Sequence, residues 1–436
     1  MTKRTFYRWA RDIVLILFAP AFIFFILAVS RQGKKNGLIW GHTPIINNKY
    51  WSEAMRGAGY HSWTIMSEFY AAINKKEDFD FYFDDIYSNV RPRILHRLLE
   101  PWLVMIYLAR NARVLHLPFY GGVFKNTLLW RCESYLYRLA KIKTVIIPYG
   151  GDMYMYSQVF DPCIRNGLLL SYPMAARRES TVRAHVNYWV KHADIILMGF
   201  TLEGIARWDV PIGNMLTIDI KKWHMKKVYS SANGSDDVVR ILHNPNHTGV
   251  KGSEFILNAV NILQQKGLRV EIVLLQGVQN DKIKDLMQSV DIYADQLILP
   301  GYGMAAVEAM ASGLPVIANL SDDRYTTIFR RFSFLEECPI FSSTPETIID
   351  DLEILVQNPN LRYELGQASR TYVEKYHSYE TAQYLFGAVY DRILNGKEID
   401  LMSLFNPLTS EFNKSRPPVD HPLELNRLPA SWLQKC

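Results

Sequence analysis

The sequence predicts an α/β protein of two doubly wound, Rossmann-like domains facing a cleft, preceded by an apolar N-terminal helix. Three observations carry this. After the apolar run the chain reads strand, glycine loop, helix, strand, the opening of a doubly wound domain. A second opening of the same kind follows a polar stretch that ends near residue 237. Residues 295–320, DQLILPGYGMAAVEAMASGLPVIANL, read as a strand ending near Leu299, a glycine turn, a small-residue helix from Met304, and a strand from Leu314. The chain of 436 residues is long enough for two separate cores, and 49% apolar with 21% charged residues excludes bulk disorder.

Residues 13–29 are an uninterrupted apolar run with Pro20 inside it. As a helix the run is about 26 Å long, near the lower limit for crossing a bilayer. Lys3, Arg4, Arg8 and Arg11 precede it and Arg31, Lys34 and Lys35 follow, so charge gives no orientation. Residues 1–35 read as a membrane anchor. A cleaved signal ending near Ala28-Val29-Ser30 and a buried helix are the alternatives. Cys132, Cys163, Cys338 and Cys436 show no disulfide spacing, and with the 11 histidines they form no metal pattern. Lys and Arg (49) slightly exceed Asp and Glu (43), which favours phosphate-bearing substrates or anionic surfaces without calling for nucleic acid. Aromatic residues reach 13%, many of them in the first half.

The first domain is assigned to residues 36–220. A strand over 37–40 enters Gly41-His42-Thr43-Pro44, a helix covers 51–56, and the next strand is 62–66. Arg91, Arg93, His96, Arg97, Arg110 and Arg113 flank the apolar run 101–109. That pattern fits either a basic amphipathic helix on anionic headgroups or a core helix with a basic exposed end. Strands at 114–117 and 144–147 bracket a helix near 128–140, and the second leads to Pro148-Tyr149-Gly150-Gly151-Asp152. Ligands collect at this edge of such sheets, so Asp152 is a candidate to orient an acceptor hydroxyl or take its proton; capping the next segment is the alternative. Residues 192–197 read as the last strand of the domain, and 221–237 as the linker.

The second domain spans residues 238–395. It opens with a strand at 238–242, a loop over 243–252 and a helix over 253–265 with Ser253 as N-cap. A strand at 269–276, a helix at 281–290, the central stretch, a late strand at 339–341 and helices at 345–357, 361–376 and 379–394 follow. The proline-rich residues 396–436 read as an irregular tail. In the central stretch, Gly301, Tyr302 and Gly303 form the turn, and the free N–H groups of the first helical turn (Gly303, Met304, Ala305) suit phosphate oxygens. Glu308 lies one turn on, placed for the hydroxyls of a ribose or a sugar.

Gly-Tyr-Gly-x4-Glu-Ala-Met-Ala-x-Gly-x-Pro-Val-Ile resembles the nucleotide-sugar site of retaining GT-B glycosyltransferases, family 4 (group 1) and its relatives. Asp295-Gln296-Leu297 is similar to a branch with Asp-Gln-Leu at the end of this strand. The likeness is specific over residues 295–320, extends over 238–395, and is fainter before residue 200. It implies a GT-B fold and a nucleotide-diphosphate sugar donor bound through the second domain. Glu308 matches the second Glu of the family's pair; Pro300 stands where the first belongs, leaving Asp295 or Gln296 to contact the sugar. Lys251, before Gly252, matches the diphosphate lysine, while Asn246 stands where an Arg is usual; a surface lysine is the alternative. Gly41 would face the donor, or serve as an ordinary turn glycine. Asp152, Lys251 and Glu308 form the implied catalytic set, with retention of configuration and neither metal nor cofactor. The implied partners are a nucleotide sugar, a saccharide or lipid-linked acceptor, and a membrane. The implied setting is surface polysaccharide or lipopolysaccharide assembly at a bacterial inner membrane, with the domains in the cytoplasm. A nucleotide-sugar epimerase and a membrane-tethered scaffold with a decayed site are the rival readings.

Overall fold

The computed structural model describes residues 3–32, 35–70, 74–87, 93–200, 203–213, 215–275 and 280–433. Lys34, Arg91 and Cys436 lie outside them, as do the side chains of Lys3, Arg4, Arg93 and His96.

Two parallel sheets organise the chain. The first contains β1 (Gly37–His42), β2 (Ser62–Met66), β3 (Phe81–Tyr82), β4 (Ala112–Leu117), β5 (Lys143–Ile146), β6 (Ile195–Met198) and β7 (Val210–Pro211), in the order β3-β2-β1-β4-β5-β6-β7. The second contains β8 (Val239–His243), β9 (Val270–Leu274), β10 (Ile292–Ala294), β11 (Val316–Ala318) and β12 (Phe341–Ser342), in the order β12-β11-β10-β8-β9. The central strands carry few polar side chains because helices cover both faces; all six residues of β1 are buried. Trp40 sits opposite Thr64 on one side and His116 on the other, and Ile241 opposite Ile272 and Ile292. Strand order reverses beside β1 in the first sheet and beside β8 in the second. A doubly wound sheet opens a crevice at such a point, outside the carboxyl ends of its strands.

Three sequence expectations are corrected. β7 follows β6, so residues 192–197 do not end the first sheet. The strand before the glycine turn stops at Ala294, because the next residues swing across to the Lys251 turn: Leu297 N–H donates to the Lys251 carbonyl (3.1 Å) and Leu299 N–H to that of Val250 (3.2 Å). Ser253 is the first residue of the helix Ser253–Gln265 and does not cap it; Gly252 precedes it at φ 64°, and the Ser253 hydroxyl donates to His243 Nε2 (2.8 Å).

The two halves are tied at both ends of the cleft. The helix Tyr379–Asn395 returns to the first sheet, where Gln383 donates to the Ala54 carbonyl (2.8 Å), Tyr379 to Glu53 (2.6 Å) and Tyr390 to His116 Nε2 (2.9 Å). On the other side the helix Pro162–Ser171 packs on the Thr248–Lys251 turn. A Cβ at Gly249 would stand 2.8 Å from the Gly167 carbonyl oxygen, so a side chain there would force the backbones apart.

The helix Lys3–Arg31 lies along the helix Arg93–Asn111. Trp102 donates to the Leu15 carbonyl (3.0 Å), and its ring stacks on Phe22 at 5.4 Å. Trp102, Val104, Met105, Leu108 and Ala109 are buried, which decides for the core-helix reading of residues 101–109. The tail is ordered through Asn426, which donates to the Cys338 (2.6 Å) and Ile340 (3.0 Å) carbonyls and accepts from Ser342 N–H (2.8 Å), covering the edge at β12.

Candidate active site

A cavity of about 700 Å³ lies over both switch points. The first sheet contributes Gly41, Thr43, His116, Leu117, Pro118, Tyr149 and Gly150; the second contributes Asn244, Asn246, His247, Lys251, Gln296, Pro300, Gly303, Met304 and Ala305.

Its organising group is Asp295. The carboxylate is fully enclosed; one oxygen pairs with Lys251 Nζ and the other accepts the Gly303 N–H (2.9 Å). Gln296 Oε1 also accepts from Lys251 Nζ (3.2 Å), while its amide donates to the Leu299 carbonyl (2.9 Å). A single buried carboxylate thus fixes the cation and the entrance of the helix Met304–Ala311 relative to each other. This corrects the expectation for Asp295: it does not line the cavity, and Gln296 does. It also removes the Gly303 amide from the set offered to a ligand. The Met304 and Ala305 amides have no partner among the described residues, so what this helix end can offer an anion is those two amides and Lys251.

The glycine turn is structural on one side and open on the other. Gly301 has φ 106°, and a Cβ there would stand 2.6 Å from the Phe200 ring, so glycine is required by conformation and by contact. Gly301 is absent from the cavity lining. Tyr302 reaches the cavity edge, but its hydroxyl donates to His377 Nε2 (3.1 Å) and accepts from Tyr372 (2.9 Å), inside the core. Burial pulls His377 down to about 4, so the ring is neutral and its Nε2 free to accept, with Nδ1 donating to the Leu216 carbonyl (2.7 Å). Tyr302→Phe is expected to cost about 1–3 kcal/mol of stability by orphaning His377, with nucleotide affinity unchanged; thermal melting and calorimetry check this.

Gly41 lines the cavity, and the position requires glycine because a Cβ would fall 2.0 Å from the Ile65 carbonyl oxygen of the neighbouring strand. Asp152 does not face the cleft. It is wholly buried, and its carboxylate accepts from Phe119 (2.8 Å), Tyr149 (3.0 Å) and Gly150 (3.1 Å) N–H groups. Burial pushes its pKa up to about 6, and the backbone hydrogen bonds hold it from rising further. The geometry corrects the proton-acceptor expectation: Asp152 holds the loop that lines the cavity. Asp152→Asn is therefore expected to lower the melting temperature, losing on the order of 2 kcal/mol, without removing an ionisation from the pH–rate profile.

Glu308 is on the same helix as the open amides but deeper, 3% exposed and outside the cavity lining. Its carboxylate makes no hydrogen bond among the described residues. Burial pushes its pKa up to about 8, with the charge of Lys284 pulling it part of the way back. Tyr50 and Tyr293 are close enough to feel its charge. Lys251 and Glu308 therefore belong to one helix end but not to one open cavity.

Sequence reasoning missed Asn47, whose Oδ1 accepts the Thr217 N–H (2.9 Å) and whose amide reaches Met304 Sδ (3.5 Å), joining the first half to the helix entrance. It also missed the aromatic wall of Tyr70, Tyr149, Tyr154 and Tyr172; the high aromatic content of the first half was its only signal. Burial lowers the pKa of both His247 and His243. Among the described residues no group of three His, Cys, Asp or Glu is placed to hold a metal.

Residues 250–372 match the family model of glycosyl transferases group 1. The match begins at the Lys251 turn and contains Asp295, the glycine turn and Glu308. No curated protein matches the chain. Among solved structures, a sucrose-phosphate synthase from Thermosynechococcus elongatus is similar at 12% identity and TM-score 0.51, over 84% of this chain and 100% of that one. TarM is similar at 10% identity and TM-score 0.51, over 82% of this chain and 99% of that one. With these neighbours and its two parallel sheets, the chain has the GT-B fold.

Proposed function

We propose that the chain is a membrane-associated glycosyltransferase that moves a sugar from a nucleotide-diphosphate donor to a saccharide or lipid-linked acceptor. The observation that carries this is the Lys251–Asp295–Gly303 arrangement, which sets a cation beside a helix N-terminus at the GT-B cleft, within the group 1 segment. Lys251 and the Met304 and Ala305 amides neutralise the leaving diphosphate, where preorganised charge has its largest effect on rate. Gln296 contacts the sugar and Glu308 the ribose. Retention of configuration, surface polysaccharide or lipopolysaccharide assembly, and a bacterial inner membrane with cytoplasmic domains complete the proposal.

A thermal-shift screen of the protein against nucleotide sugars tests it, followed by analysis of products with and without acceptor. Turnover that needs no acceptor would point to an epimerase. A scaffold with a decayed site is favoured by a specific observation: Lys251 is the cavity's one cation among the described residues, it is already paired with Asp295, and Asn246 adds no charge. Calorimetry with nucleoside diphosphates separates the two, since a scaffold shows no heat.

A further inference from the structure

The helix Lys3–Arg31 contains a segment, Tyr7–Arg31, long and apolar enough to cross a bilayer, with a mean hydropathy of 2.9 over its most apolar 18 residues. Its packing argues for a different placement. A stripe through Leu15, Phe22, Ile23 and Ile26 lies on the first half of the protein, and the helix is tied down along its length. Arg11 donates to the Asn126 carbonyl near one end, Trp102 to the Leu15 carbonyl in the middle, and Lys35 to the Ala140 carbonyl just beyond the other end. The opposite face is bare: Leu17 is 71%, Phe24 69% and Phe25 54% exposed. A helix held lengthwise against its domain cannot stand upright in a bilayer alone. Upright, it would carry the helix Arg93–Asn111 into hydrocarbon, together with the exposed Arg97 and Arg110.

We propose that this helix lies in the plane of an anionic phospholipid leaflet, its bare face sunk among the acyl chains near the headgroups. The charge around the face selects that occupant. Exposed Arg8 and Arg31 mark its two ends and exposed Arg131 sits on an adjoining turn, while Tyr7 and Trp9 supply the aromatic residues that favour the interface. The helix has one acid, Asp12, and Arg11 pairs with it, so the same helix of a second copy offers no free acid to meet these arginines. The proposal rests on the membrane association proposed above and replaces a span with a surface.

The test uses the full chain with Cys132, Cys163 and Cys436 changed to Ser, and one new cysteine at a time: Arg8→Cys, Leu17→Cys, Phe24→Cys or Gln32→Cys. Each is added to preformed phosphatidylethanolamine vesicles with or without phosphatidylglycerol. Omitting phosphatidylglycerol is expected to weaken binding at least tenfold, given about 1 kcal/mol for each basic side chain near the surface. With vesicles present, an impermeant maleimide should modify positions 8 and 32 from outside and spare positions 17 and 24. Labelling of position 8 only after lysis would mean a span, overturning this inference while leaving membrane association intact. Absence of vesicle binding would overturn both, and protection of positions 17 and 24 in a vesicle-free dimer would assign the face to a second copy.

Discussion

Lys251→Ala is expected to lower kcat/KM for the nucleotide sugar by 10²–10³, about 3–4 kcal/mol of transition-state stabilisation. The cavity has no other cation among the described residues, and the two open amides provide only partial charges. The same substitution should lower the melting temperature, because it leaves the enclosed Asp295 carboxylate without its partner; breaking such a pair costs on the order of 3 kcal/mol. Loss of turnover alone would therefore be ambiguous. Lys251→Ala combined with Asp295→Asn resolves it: the second change removes the stranded charge and should restore most of the stability while activity stays low. Asp295→Asn alone should raise KM for the donor, since Lys251 then keeps only Gln296. If both Lys251 variants turn over donor like the parent, the diphosphate assignment fails.

The same carboxylate shows where reading the sequence stops. Both doubly wound openings were legible, because parallel strands buried on two faces leave apolar runs between glycine loops, and β1, β2 and β8 fall within a residue or two of expectation. The helix entrance was legible too: the glycine turn followed at fixed spacing by Glu-Ala-Met-Ala and Gly-Leu-Pro-Val set the helix start at Met304, where it is found. Asp295 was not: from the string alone an acid beside a proposed phosphate site reads as a ligand contact. Only the fold brings residue 251 across to residue 295, and that crossing ends β10 early and uses the Gly303 amide. Asp152 was misread in the same way, because its partners include Phe119, 33 residues away. The N-terminal helix is the third case. Apolar composition marks the run 13–29, but neither the full extent Lys3–Arg31 nor its neighbour, and Trp102 is distant in sequence.

Nucleotide binding is expected to release protons through Glu308. A carboxyl held at about 8 in the folded chain is about nine-tenths protonated at pH 7. Ribose hydroxyls that donate to it favour its ionised form, so a bound nucleotide pulls the pKa down and expels close to one proton. Calorimetry in buffers of different ionisation heat measures that number, and comparison with Glu308→Gln isolates it, because the nucleotide's own ionisation is common to both proteins. The variant should also bind about 10- to 100-fold more weakly, the range for hydrogen bonds to a charged acceptor. The free protein provides an independent check with its own sign. The folded pKa lies above the ordinary 4.5, so the folded state holds the proton where the unfolded chain has released it. Stability is thus lost as pH rises from about 4.5 to about 8, and Glu308→Gln should flatten the slope in that window. Equal proton release by both proteins, with a flattened slope, would leave Glu308 a buried acid of the core and take the ribose away from it.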